Sequence, residues 1–162
     1  GTRGAVAAVC RLNTETGELI YVGIGNITVR VLGPRKARFV SGDGIVGYMM
    51  TTPREQNLKL FAGDVLVMYT DGIKEHFELS EYQGILTGNA KSIAVGLLNQ
   101  FGKKNDDVSC IALKCIGNGS YTSDKPRRGL PFFLYIQFRR RTDILSRVLQ
   151  GYSSFPAGQG RI

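Results

Sequence analysis

The chain has 162 residues, 43% of them hydrophobic, and a formal net charge of +8. That length suits one domain with a workable core, and the apolar content places it with globular rather than disordered chains. No apolar run reaches the length of a membrane span, and the first residues lack a signal-peptide layout. The three cysteines, Cys10, Cys110 and Cys115, form neither a disulfide framework nor a metal-binding spacing. A cytoplasmic protein with reduced thiols packed in its core is therefore expected.

In chain order, Ala5 to Leu12, Glu18 to Ile24 and Ile27 to Leu32 are β-rich runs. Turn-formers join them, Asn13-Thr14-Glu15-Thr16-Gly17 and then Gly25-Asn26, so an antiparallel meander is predicted. Arg38 to Val40 adds a short strand before the glycine-rich stretch Ser41-Gly42-Asp43-Gly44. That stretch reads as a turn rather than a phosphate cradle, because no helix pattern follows to supply an anion-binding terminus.

Next comes GDVLVMYTDGIKE, residues 63 to 75. The apolar run Val65-Leu66-Val67-Met68-Tyr69, bounded by Gly63-Asp64 and Asp71-Gly72, predicts a strand buried on both faces. A helix should begin at Asn89 and end at Gly102, since Ala90, Ile93, Ala94, Leu97, Leu98 and Phe101 form one apolar stripe. A second apolar strand, Val108 to Cys115, follows Asp106-Asp107. A helix packed on one face of a mainly antiparallel sheet gives an α+β fold.

If the two apolar strands are antiparallel neighbours, Asp71 meets Asp106 at one edge of the sheet. Two such carboxylates repel unless a cation joins them, and hard ions such as Mg2+ or Mn2+ prefer oxygen ligands. The alternative is a plain turn at Asp71-Gly72 and a solvated loop at Asp106-Asp107.

GDVLVMYTDGIKE, followed some thirty residues later by NDDVSCIAL, resembles the closing half of the metal-dependent type 2C (PPM) serine/threonine phosphatases. Within them it is most similar to the bacterial SpoIIE-like and RsbX-like branch, which TRGAVAAV and YVGIGNI also resemble, so the likeness covers residues 1 to 117. The resemblance implies an α-β-β-α sandwich, of which this chain would hold the larger share of the second sheet. It implies Asp71 and Asp106 as ligands of a two-metal Mn2+ or Mg2+ centre, and Gly72 as the tight turn after the first. Asp107 or Thr70 could orient ligands from behind. Glu75 could be an outer carboxylate, although a solvated position is the commoner outcome for such a residue. The implied reaction is hydrolysis of phosphoserine or phosphothreonine by metal-activated water, without a covalent intermediate. The implied substrate is a phosphorylated regulatory protein of bacterial stress or sporulation signalling.

The family also uses an Asp-Gly metal element from an amino-terminal segment. With no Met at its start, the chain looks like a piece of a longer protein, and little turnover is expected of these residues alone. A general-acid role is open to His76, although a lone surface histidine is more often incidental. The competing reading is a non-catalytic interaction module that keeps the phosphatase sheet.

Charge divides the chain. Residues 1 to 117 hold thirteen Lys and Arg against eleven Asp and Glu, whereas residues 118 to 162 hold eight against two. This basic tail opens with a linker-like stretch to Pro126, followed by the apolar cluster Leu130 to Ile136, Arg139-Arg140-Arg141, and a helix-like pattern from Asp143 to Leu149. One arginine triplet is more often a solvated face than a nucleic-acid contact. The expected boundary lies at Gly117.

Overall fold

The computed structural model describes residues 4–74, 83–116, 132–139 and 144–151. Glu75, His76 and the linker-like stretch from Gly117 to Pro126 fall outside the described residues.

Strands β1 (Ala7–Leu12) and β2 (Glu18–Ile24) form an antiparallel hairpin. The Asn13 side chain orders its turn by accepting from the Glu15 and Thr16 amides at 2.9 and 3.2 Å. The chain then leaves this sheet. Strand β3 (Thr28–Leu32) pairs with β4 (Ala37–Phe39) and β8 (Val65–Tyr69), whereas the partner completing the first sheet is β7 (Gln56–Lys59).

The predicted meander thus stops after two strands. Gly25, at φ +96°, redirects the backbone, and the alternating Val29 and Val31 bury against the first sheet instead of extending it. A small hairpin, β5 (Gly44–Ile45) with β6 (Met49–Met50), follows the glycine-rich stretch.

Strand β8 runs antiparallel to β9 (Val108–Cys115), with Tyr69 opposite Cys110 and Val65 opposite Lys114. The larger sheet has six strands in the order β11-β10-β9-β8-β3-β4, where β10 is Phe132–Arg139 and β11 is Ile144–Gly151, and packs face to face on the three-stranded sheet β1-β2-β7. Leu19, Tyr21, Val29, Val31, Leu66 and Leu113 fill the space between the sheets. On the opposite face Val65, Val67, Tyr69, Val108, Cys110 and Ala112 meet the helices α1 (Gln83–Thr87) and α2 (Ala90–Phe101).

Strand β8 is therefore covered on both faces, as its unbroken apolar run predicted. The layers run sheet, sheet, helix. Among the described residues the architecture is α+β and mainly antiparallel, and no helix is long and apolar enough to cross a membrane.

Helix α2 has the predicted bounds. Asn89 caps its start by accepting from the Ser92 amide at 2.9 Å, and Ala90, Ile93, Ala94, Leu97, Leu98 and Phe101 are its buried stripe. At the other end the Gly102 amide donates to the Leu98 carbonyl at 2.9 Å. Gly102 ends the helix in an extended conformation, at φ −66°, rather than the left-handed one that glycine often takes there. Lys114, from β9, closes the end of α1 by donating to the carbonyls of Leu86, Thr87 and Gly88 at 3.1, 3.2 and 2.6 Å.

The backbone of the basic segment extends the larger sheet. Strand β10 (Phe132–Arg139) pairs along β9, and β11 (Ile144–Gly151) pairs along β10. The helix-like pattern at Asp143 to Leu149 gives way to β11. A short apolar run fits either period, and the open ladder edge of β10 satisfies its backbone as a strand.

Candidate functional site

The chain turns immediately after β8. The Ile73 amide donates to the Thr70 carbonyl at 3.0 Å, which makes Asp71 and Gly72 the central residues of a tight turn. Gly72 does not have a positive φ. Its requirement is space, because an added Cβ would run into the carbonyl oxygen of Asp107.

That close approach folds the loop before β9 around the turn after β8. The Lys103 amide donates to the Gly72 carbonyl at 2.8 Å, the Lys74 amide to the Phe101 carbonyl at 3.0 Å, and Ile73 bridges Gly102. Thr70 closes the arrangement from the strand side, its hydroxyl accepting from the Ser109 amide at 3.1 Å while its own amide donates to the Ser109 carbonyl. Four of the residues singled out from the sequence, Thr70, Asp71, Gly72 and Asp107, thereby meet at one end of the larger sheet.

Asp71 projects into a groove of about 600 Å3, and its carboxylate accepts from the Asn26 side-chain amide at 2.7 Å. Asp106 and Asp107 stand exposed on the adjoining loop and do not line the groove; the Asp106 carboxylate accepts from the Asp107 amide at 2.9 Å. The carboxylate at the groove is thus that of Asp71, while those of Asp106 and Asp107 stand on the neighbouring loop outside it. Among the described residues no group of three or more His, Cys, Asp or Glu side chains gathers to complete a cage.

Sequence reasoning missed the groove's other wall. Ser41 binds the phenolic oxygen of buried Tyr21 at 2.7 Å and donates to the Ile27 carbonyl at 3.1 Å. Gln56 acts as a substitute strand for Val40, accepting from its amide at 3.0 Å and donating to its carbonyl at 2.6 Å. Arg38 and Lys103 also line the groove. Of these, only Asn26 had a local signal, and Gly25-Asn26 was legible merely as a turn.

The cysteines are structural. Burial pushes the Cys10 thiol up to about 11 and those of Cys110 and Cys115 to about 12, with the nearby Asp64 charge adding to the shift of Cys115. None of the three is a nucleophile near neutral pH.

A family model, Stage II sporulation protein E (SpoIIE), matches residues 1–115. A solved structure titled "The bacterial stressosome: a modular system that has been adapted to control secondary messenger signaling" is similar, with a TM-score of 0.61 and 28% identity. The match covers 69% of this chain and 59% of that one, so the chain spans less than two thirds of the solved protein's length. A search of curated proteins finds no match. With the family match running from the first strand through β9, the chain belongs to the SpoIIE family of PPM-type phosphatases.

Proposed function

We propose that this domain serves a metal-dependent phosphatase that removes phosphate from phosphoserine or phosphothreonine of a cytoplasmic regulatory protein in bacterial stress or sporulation signalling. The observation that carries the reading is Asp71, exposed in a groove at the end of β8 beside the loop of Asp106 and Asp107, in a chain of the SpoIIE family. The similar solved structure, which concerns a bacterial stressosome, supports a setting in protein signalling.

Asp71 and Asp106 would hold Mn2+ or Mg2+, with their oxygens matching the preference of these ions. When bound, such a metal centre activates water at neutral pH and offsets charge on the phosphoryl oxygens. The chain's own residues do the positioning. Asn26 fixes one oxygen of Asp71, Thr70 ties the end of β8 to β9, and Gly72 lets the two acidic segments approach.

The test is release of inorganic phosphate from a phosphoserine peptide by the longest natural protein carrying these residues. Turnover should require Mn2+ or Mg2+, stop on chelation, and vanish in Asp71→Asn. Equal turnover in Asp71→Asn would refute the reading. Regulator binding with no turnover in any metal would favour an interaction module.

A further inference from the structure

We propose that the outer edge of β11 pairs antiparallel with β11 of a second copy of this chain, joining two of the larger sheets into one continuous sheet. The phosphatase reading above plays no part in it, and the strand lies beyond residues 1–115, which the family model matches.

The larger sheet ends in β4 on one side and β11 on the other, and the two edges differ. Strand β4 has three residues with Arg38 at its centre, and the Gln56 side chain occupies both backbone groups of Val40 just past it. A short strand, a charge and an engaged backbone all keep an edge from recruiting another strand. Strand β11 has eight residues, no proline and one charged residue, Arg147. All eight are in unbroken register with β10, so no bulge twists the edge away. Among the described residues no strand lies on its other side, and the alternate N–H and C=O groups turned away from β10 form a row suited to a further strand.

Such a row selects a β-strand as its occupant, and the sequence of β11 fits its own copy. In a symmetric antiparallel pair a two-fold axis relates the strands, so if one position meets another the reverse contact is made as well. An axis perpendicular to the sheet keeps the helices of both copies on one face, which matches positions of the same parity. Centred on Val148, this pairing sets Val148 against its counterpart, Arg147 against Leu149, Ser146 against Gln150 and Leu145 against Gly151. A β-branched pair then sits at the axis and neither arginine faces the other. Centring on Arg147 instead would oppose two like charges, so the register is defined.

Sedimentation of the whole 162-residue chain across a dilution series, with no metal or phosphopeptide present, should show a reversible monomer–dimer equilibrium. Val148→Lys puts two ammonium groups opposite each other at the axis and should weaken association about tenfold or more. Val148→Cys gives a readout that does not depend on that variant folding. Directly opposed positions lie about 4.5 to 5.5 Å apart between Cα atoms, within reach of a disulfide. Mild oxidation should therefore link Val148→Cys into dimers much faster than Ser146→Cys, whose position meets Gln150, or the wild type, whose three native cysteines set the background. A wild type that stays monomeric at every concentration overturns the proposal. So does a dimer that a folded Val148→Lys variant leaves within about twofold of wild-type affinity, a margin small beside a like-charge clash. A dimer that oxidation links through Val9→Cys on β1, the edge of the smaller sheet, and not through Val148→Cys overturns it as well.

Discussion

Strand β8 has an aspartate at each end, and the two are treated in opposite ways. Asp64, just before the strand, is 1% exposed. It accepts from Arg35 at 2.7 Å and from the Phe61 amide at 2.9 Å, while its backbone carbonyl takes the Cys115 amide at 2.9 Å. The Arg35 guanidinium also lies 4.1 Å from the Phe61 ring centroid. Asp71, two residues past the strand, is exposed, and among the described residues its carboxylate accepts from the neutral side-chain amide of Asn26. A buried carboxylate that is fully engaged joins segments together. An exposed one in a groove keeps lone pairs available for a ligand.

Predictions sharpen this contrast. The largest effect should come from Arg35→Ala, which leaves the Asp64 carboxylate buried without its cation and should cost about 3 kcal/mol of stability in urea unfolding. Mn2+ affinity should be unchanged, since the far end of β8 is untouched. A loss of metal binding in this variant at full folding would erase the distinction between the two ends.

Gly72→Ala should affect both properties. The new methyl group meets the Asp107 carbonyl, so the loop must move; a cost of about 2 kcal/mol is expected, as for overpacking, together with weaker Mn2+ binding. Asp71→Asn should stay within about 0.5 kcal/mol of wild-type stability, as exposed substitutions do, while abolishing metal binding. Asn26→Ala should weaken Mn2+ about tenfold by freeing the Asp71 carboxylate from its orienting partner. Calorimetric titration beside an unfolding curve checks all three.

The smallest effect at neutral pH concerns the thiols. From an ordinary value of 9.0, unfolded cysteines ionise before the folded ones, which burial raises to about 11 or about 12. The folded state therefore binds more protons above pH 9, and stability should fall as pH rises from there toward 11 to 12. Below pH 9 this contribution should be flat. Urea midpoints from pH 7 to 10 in the wild type and in a variant with all three cysteines replaced by alanine would separate it from other alkaline effects.

What could be read from the sequence was local. Strand β8 declared itself through five consecutive apolar residues, and α2 through a stripe with a capping asparagine. Turn chemistry at Gly25-Asn26 shows that the chain reverses but not which sheet it enters, so β3 was placed beside β2 instead of beside β8. Strand β7, Gln-Asn-Leu-Lys, has too little apolar character to stand out, although Gln56 and Leu58 both have structural tasks. The helix-like period near Leu149 was overridden by the ladder edge of β10.

The site divides the same way. Asp71 and Asp106 were legible because each flanks a recognisable apolar strand, and the antiparallel pairing of β8 with β9 explains why those strand ends adjoin. Asn26, Arg38, Ser41 and Lys103 were not, because only tertiary packing gathers residues from four separate segments around one groove.

Isothermal titration of Mn2+ into the wild type, Asp71→Asn and Asp106→Asn most directly tests the claim that this end of β8 is a metal site. Weak binding in the wild type that either substitution removes is the predicted result. Binding that survives in both variants would contradict it.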